Sequence, residues 1–188
     1  MEDAIYSSLN YPILTLVTLL PLLGSLLILF IRKEVLIKWI ALATTMGTFI
    51  VTFPIYKYFD KTTHKMQFVE NYQWIPVWNI NYKVGIDGIS VLFIILVAIL
   101  SILCVTVSWK AIEKNIKGFF VSLLVLETAM MGIFISLNAF LFYLFWELTL
   151  IPMFLLIGIW GGSKRIYSAV KFVLFMVAGS VFMLVGII

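Results

Sequence analysis

The sequence predicts an all-α, polytopic transmembrane bundle of about six spans, and three observations carry that prediction. Hydrophobic residues fill 63% of the 188 positions and charged residues only 12%, against about half and about one quarter in soluble domains. The apolar residues gather into runs of about twenty, the helical length that crosses a hydrocarbon core of about 30 Å. The basic residues fall in short clusters between those runs, so a net charge of +4 reads as membrane topology rather than as one basic face for nucleic acid.

On that ruler the spans are Tyr11–Ile31, Val35–Tyr56, Ile86–Trp109, Gly118–Leu137, Ala139–Trp160 and Ile166–Ile188, within a single membrane domain over residues 1–188. The start is acidic (Glu2, Asp3) and no small-residue cleavage site follows the first run. A secretory signal would have a basic start and a shorter core, so the first run is expected to stay in the mature protein. Residues 57–85 form the one sizeable external loop. In it, Met66–Tyr72 and Ile80–Val84 flank a turn at Trp74-Ile75-Pro76-Val77-Trp78, which predicts a short hairpin lying on the membrane surface. Cys104 lies in an apolar run with no second cysteine, and the Cys/His spacing of a zinc or iron–sulfur site is absent.

Orientation follows from the cations. With the N-terminus outside, Arg32, Lys33, Lys38, Lys110, Lys114, Lys117, Lys164, Arg165 and Lys171 fall inside, against Lys57, Lys61, Lys65 and Lys83 outside; the inner excess favours this arrangement. Trp39, Trp109 and Trp160 then mark the inner interface, with Trp74 and Trp78 at the outer one, as an aromatic belt requires.

Two carboxylic acids break the apolar pattern. Glu127 and Glu147 each sit mid-run, where a charge costs roughly 2.5–3.5 kcal/mol on insertion scales and marks ion or proton chemistry by default. Entered from opposite sides, both lie about 12–14 Å deep, near the midplane. Their helices are consecutive and joined around Asn138, so the two side chains are expected on antiparallel neighbours, within reach of each other. Such a pair forms a site able to hold and release a proton; the alternative is a protonated, hydrogen-bonded packing residue. Pro152 withholds an amide from the Leu148 carbonyl, which frees an acceptor beside Glu147, although proline kinks are also purely structural. Lys171, five or six residues into the last span, is either a relay cation or a side chain snorkelling to the interface.

The remaining features read as structural. Asp87 in Gly85-Ile86-Asp87-Gly88-Ile89-Ser90 stands at a helix N-cap. Gly158 and Gly162, and the Ala178-Gly179-Ser180 patch, suit close helix packing. His64 is expected to be solvated.

The stretch from Phe140 to Gly162, with Trp146-Glu147, Ile151-Pro152-Met153 and Trp160-Gly161-Gly162, resembles the fifth-helix signature of subunit M (subunit 4) of proton-pumping NADH–quinone oxidoreductase, respiratory complex I. Leu126-Glu127-Thr128-Ala129-Met130-Met131-Gly132 resembles its fourth helix, Gly85 to Ser90 the start of its third, and Ala169-Val170-Lys171-Phe172 with Gly179-Ser180 its sixth. The resemblance implies a partial antiporter-like fold in a bacterial inner membrane. It implies that Glu147 is the family's essential fifth-helix glutamate, which faces a seventh-helix lysine, and that Glu127 and Lys171 lie near the same hydrophilic axis. Family members run to about fourteen helices, so the chain is expected to be a fragment or to be completed by another polypeptide. The resemblance further implies that the chain holds no cofactor, with NADH, FMN, iron–sulfur clusters and quinone handled by partner subunits, and that its own partners are membrane-arm subunits and the lipid bilayer. A subunit of a sodium/proton antiporter or membrane-bound hydrogenase, and a packing scaffold with no ion path, are the alternatives.

Overall fold

The computed structural model describes residues 4–6, 11–76 and 80–187. In chain order the elements are β1 (Ala4–Tyr6), α1 (Ile13–Phe30), α2 (Glu34–Tyr58), β2 (Met66–Ile75), β3 (Ile80–Ile86), α3 (Gly88–Ala111), α4 (Ile116–Ile135), α5 (Ala139–Trp160) and α6 (Arg165–Ile187). All six helices are long and apolar enough to span a bilayer, and they fall where the hydropathy runs predict, with ends displaced by only a few residues. Prolines sit inside α1, α2 and α5 at Pro21, Pro54 and Pro152, and α5 runs through Pro152 unbroken.

Helices alternate in direction because their connections are short. One end of the bundle carries the hairpin: Leu137 donates its amide to the Lys83 carbonyl (3.0 Å), and the Asn138 amide side chain donates to the Asn81 carbonyl (3.3 Å). The other end carries the cations. There Lys38 donates to the Trp109 carbonyl, Lys117 to the Leu29 carbonyl and the Trp160 indole to the Lys114 carbonyl. Trp39 meets Trp109 edge-on at 5.2 Å, so the three tryptophans expected at one interface do gather at one end. Trp74 is at the opposite end, against Phe140; Trp78 and Val77 lie outside the described residues.

The predicted hairpin exists and is longer than expected, for β2 takes in Trp74 and Ile75. It packs into the end of the helix bundle. Phe68, Val69, Val84 and Ile86 are buried, with Phe68, Val84 and Ile86 sharing a core cluster with Ile13, Val91, Ile135 and Leu141 of four helices. A regular strand alternates its faces, yet Gln67, Phe68, Val69 and Glu70 are all buried. Phe68 takes a left-handed φ of 53° where the β2–β3 register shifts, and this bulge turns consecutive side chains inward. Gly85 permits the close approach, since a Cβ there would stand 2.6 Å from Leu137. β1 adds a parallel strand on β2, a pairing that no sequence signal announced.

The core has two storeys. The hairpin-side cluster runs down to Val97, Ala98 and Met131, and the cation-side cluster begins at Val105 and Leu124. α4 is the most enclosed helix and α6 the least. Buried hydroxyls inside the bundle close onto their own helices: Thr18 on Leu14, Thr48 on Thr44 and Thr128 on Leu124, at 2.9–3.0 Å. This is how polar groups are satisfied where no water reaches.

Asp87 caps α3 as predicted, accepting from the Ser90 amide at 2.7 Å, and that bond holds its carboxyl below the usual range. A lowered native value contributes stability above the unfolded value and loses it as pH falls through the native one. Asp87→Ala should cost about 1 kcal/mol, read as a lower melting temperature at pH 7 and a smaller difference from the parent in strong acid.

Candidate functional site

Glu127 is 2% exposed, on α4 at the seam between the storeys, after Leu124 of one cluster and before Met131 of the other. Neither of its carboxyl oxygens has a hydrogen-bond partner among the described residues. Ser101, 8% exposed on α3, is the polar group that approaches it. The alternative of a hydrogen-bonded packing residue needs a partner on these oxygens, and none is present among the described residues.

Glu147 is half-buried on α5, with Oε1 enclosed and unpartnered. Tyr143 stands one turn away on the same helical face, and its hydroxyl interacts with both the Glu147 carboxyl and Ser180 of α6. Ser180 is 2% exposed, and its own hydroxyl donates to the Val177 carbonyl at 3.0 Å. A carboxyl, a phenol and a buried hydroxyl thus run from α5 to α6. Sequence reasoning had placed Ser180 among small packing residues and passed over Tyr143; the i, i+4 spacing of Tyr143 and Glu147 was the available signal.

The register of α4 against α5 sets the depth of the pair. A Cβ on Gly132 would fall inside the Phe145 ring, so these two residues face each other. Counting back along antiparallel helices, Glu127 stands level with Leu150, about one turn or ~4.5 Å along the axis from Glu147. Both acids therefore lie at similar heights, near the middle of their helices. They are not in contact: Glu127 turns to α3, Glu147 to α6, and no hydrogen bond joins them.

Lys171 lies elsewhere. It follows Ser180 back by nine residues, which at ~100° each is about half a turn, so it points away from the side that Ser180 and Ala169 bury. It is exposed, with its ammonium 5.8 Å from the Phe175 ring centre. Within these helices it joins neither glutamate. Of the packing glycines, Gly158 meets Ala169 at 3.5 Å for an added Cβ, whereas Gly162 and Gly179 have nothing within 4 Å; Gly162 lies past the end of α5. Gly162 and Gly179 are thus not packing contacts within this bundle. His64 is exposed, as expected.

A family described as NADH:quinone oxidoreductase/Mrp antiporter, TM, matches residues 136–188, the part that holds Glu147, Tyr143, Ser180 and Lys171. NADH-quinone oxidoreductase subunit M of Rhodobacter capsulatus is 42% identical over 182 residues, covering 94% of this chain. The chain belongs to the subunit M family. It spans about a third of the length of the relatives it matches, 35% in the Rhodobacter case. Among solved structures, respiratory complex I from Thermus thermophilus with bound NADH superposes with a TM-score of 0.77 at 25% identity, over 92% of this chain and 34% of that one. The Mrp complex from Dietzia, at 19% identity and a TM-score of 0.72 over 92% of this chain and 18% of that one, shares the fold. For a subunit M chain, the antiporter-like helix order is thus established by sequence and by shape.

One buried acid escaped the sequence reading. Glu70 of β2 is 6% exposed and accepts from the Leu14 amide at 2.8 Å, the Thr15 amide at 3.2 Å and the Thr15 hydroxyl. It caps α1, whose own N-cap residue, Pro12, offers no side-chain acceptor. The Thr15 hydroxyl is also 3.1 Å from the Tyr82 oxygen, and burial pushes that phenol above its ordinary value. The residues that bond are 55 or more apart in sequence, which hides the cap from any local pattern.

Proposed function

We propose that this chain contributes to proton translocation coupled to quinone reduction in the membrane arm of an NADH–quinone oxidoreductase of a bacterial inner membrane, with Glu147 as the principal proton-path residue. The observation that carries the reading is the set of three enclosed carboxyl oxygens left without partners, on Glu127 and Glu147, at the midplane of a bundle whose buried threonines are satisfied. An uncompensated charge at such depth is costly, so a group kept there serves by exchanging its proton. Glu147 holds the proton; the Tyr143 hydroxyl, between it and Ser180, offers the step toward α6. Glu127 and Ser101 form a second holding point about one turn away. Lys171 enters the path only through an element packed on the outer face of α6. NADH oxidation, its flavin and iron–sulfur cofactors, and the quinone belong in this reading to partner subunits. The chain itself is a translocase component with no redox centre.

Glu147→Gln tests this in the assembled complex, because the amide keeps the shape and loses the exchangeable proton. NADH-driven proton uptake into vesicles should fall by about tenfold or more with subunit content unchanged. Unimpaired uptake at normal assembly removes Glu147 from its role. An uptake that follows sodium concentration would move the chain to the cation/proton antiporter alternative.

A further inference from the structure

The bundle also carries a groove that the proton path does not use. Phe49, Phe53 and Tyr56 follow one another at helical spacing along α2, and Leu92 and Ile95 do so along α3. These five line a cavity of about 270 Å³. Tyr56 and Leu92 also line the cavity above it, of about 360 Å³, whose further walls include Lys61, Thr63 and Gly88. The two are therefore one groove, open to the side and shared at its middle, with room in the range of a ligand site, roughly 300–1000 Å³.

Its two halves differ in chemistry. Below, the walls are mostly apolar, and the Thr52 hydroxyl is spent on the Phe49 carbonyl at 2.6 Å. Phe53 and Leu92 are each 63% exposed, on faces that meet acyl chains in a spanning helix. Above, at the level where α2 ends and α3 begins, Lys61 stands with its ammonium 5.3 Å from the Tyr56 ring centre. No carboxylate lies in ion-pair range of Lys61 among the described residues. The acids next to the mouth in sequence are both engaged: Asp60 accepts from the Thr62 amide and hydroxyl, and Asp87 from the Ser90 amide. The mouth thus presents a cation and the Thr63 hydroxyl at the depth of a phosphate, over a slot sized for hydrocarbon.

We propose that this α2–α3 groove binds an anionic phospholipid, with one acyl chain along Phe49, Phe53 and Ile95 and the headgroup phosphate at Lys61 and Thr63. An amphiphile matches both halves, and the charge at the mouth selects an anionic headgroup over a zwitterionic one. A membrane lysine near an anionic headgroup is worth about fivefold in binding. Tyr56 supports the site by seating the Lys61 ammonium over its ring, a cation–π contact.

The test uses the assembled complex in vesicles containing phosphatidylglycerol or phosphatidylcholine with a diazirine in the acyl chain. Cross-links are mapped by mass spectrometry. Phosphatidylglycerol should label the Phe49–Tyr56 and Leu92–Ile95 peptides about fivefold more than phosphatidylcholine, while the exposed face of α1 at Leu23 and Leu27 shows no preference. Lys61→Ala should bring the ratio at the groove to near one, and Lys61→Arg should retain it. Leu92→Trp, which fills the slot, should cut labelling by both lipids. A groove labelled no more selectively than the α1 face, a preference untouched by Lys61→Ala, or a groove that neither lipid labels because a protein covers it, each overturns the assignment.

Discussion

Glu70→Ala is expected to lower stability by about 3–5 kcal/mol, because it strips three donors at the start of α1 of their charged acceptor in a largely buried site. The Leu14 and Thr15 amides are among the first N–H groups of the helix and have no partner inside it; the hairpin supplies one through Glu70. Glu70→Gln retains one oxygen and introduces an amide that cannot accept, so about 1–2 kcal/mol is the expected loss. Thermal unfolding of the detergent-solubilised subunit, followed by loss of its monodisperse elution peak, should rank parent above Gln above Ala. Equal losses for Gln and Ala would mean that the side chain acts by filling space, and no loss would mean that α1 is capped by other groups.

Gly132→Ala is the second large effect. The added methyl would occupy the Phe145 ring, and Phe145 is itself packed in the hairpin-side cluster, so the ring cannot simply swing away. Overpacking of this kind costs about 1–3 kcal/mol, and Phe145→Ala alone about 3–5 kcal/mol. The two residues touch, so the double variant should be more stable than the sum of the singles predicts, by about 1–3 kcal/mol. The same cycle has a functional reading: Glu147 follows Phe145 by two residues, and moving α5 off α4 shifts its depth. NADH-driven proton uptake should therefore fall in Gly132→Ala and recover in part in the double variant. Strict additivity in both measurements would mean that the α4–α5 contact lies elsewhere.

The helices were legible because a bilayer imposes one length and one composition on every span, so counting apolar residues from Tyr11 onward places α1 to α6 within a few positions. The acids at Glu127 and Glu147 were legible for the same reason, since charge is conspicuous where apolarity is the rule. Their depth followed from rise per residue, but their directions did not. Which way a side chain turns depends on which neighbours its helix acquires, and that is why Glu127 meets Ser101 of α3 while Glu147, through Tyr143, is linked to Ser180 of α6. Lys171 shows the limit clearly, for depth alone could not tell a face turned to Ser180 from the opposite one. The hairpin strands were visible in their alternation, but the bulge at Phe68 and the parallel strand β1 arise from pairing across long separations. Glu70 was invisible for the same reason: an acid in a loop segment looks solvated until the fold carries it to a helix start 55 residues away.

The two rims of the bundle are fastened by different means. At one, a sheet grips the chain through backbone bonds, an acid clasping α1 and a bridge from Val84 to Ser136 at the α4–α5 corner. At the other, long side chains reach across to single carbonyls, and the connections are mere turns. A structure built this way is expected to open first at its laced rim, which would bring water to the two acids from the side of the lysines.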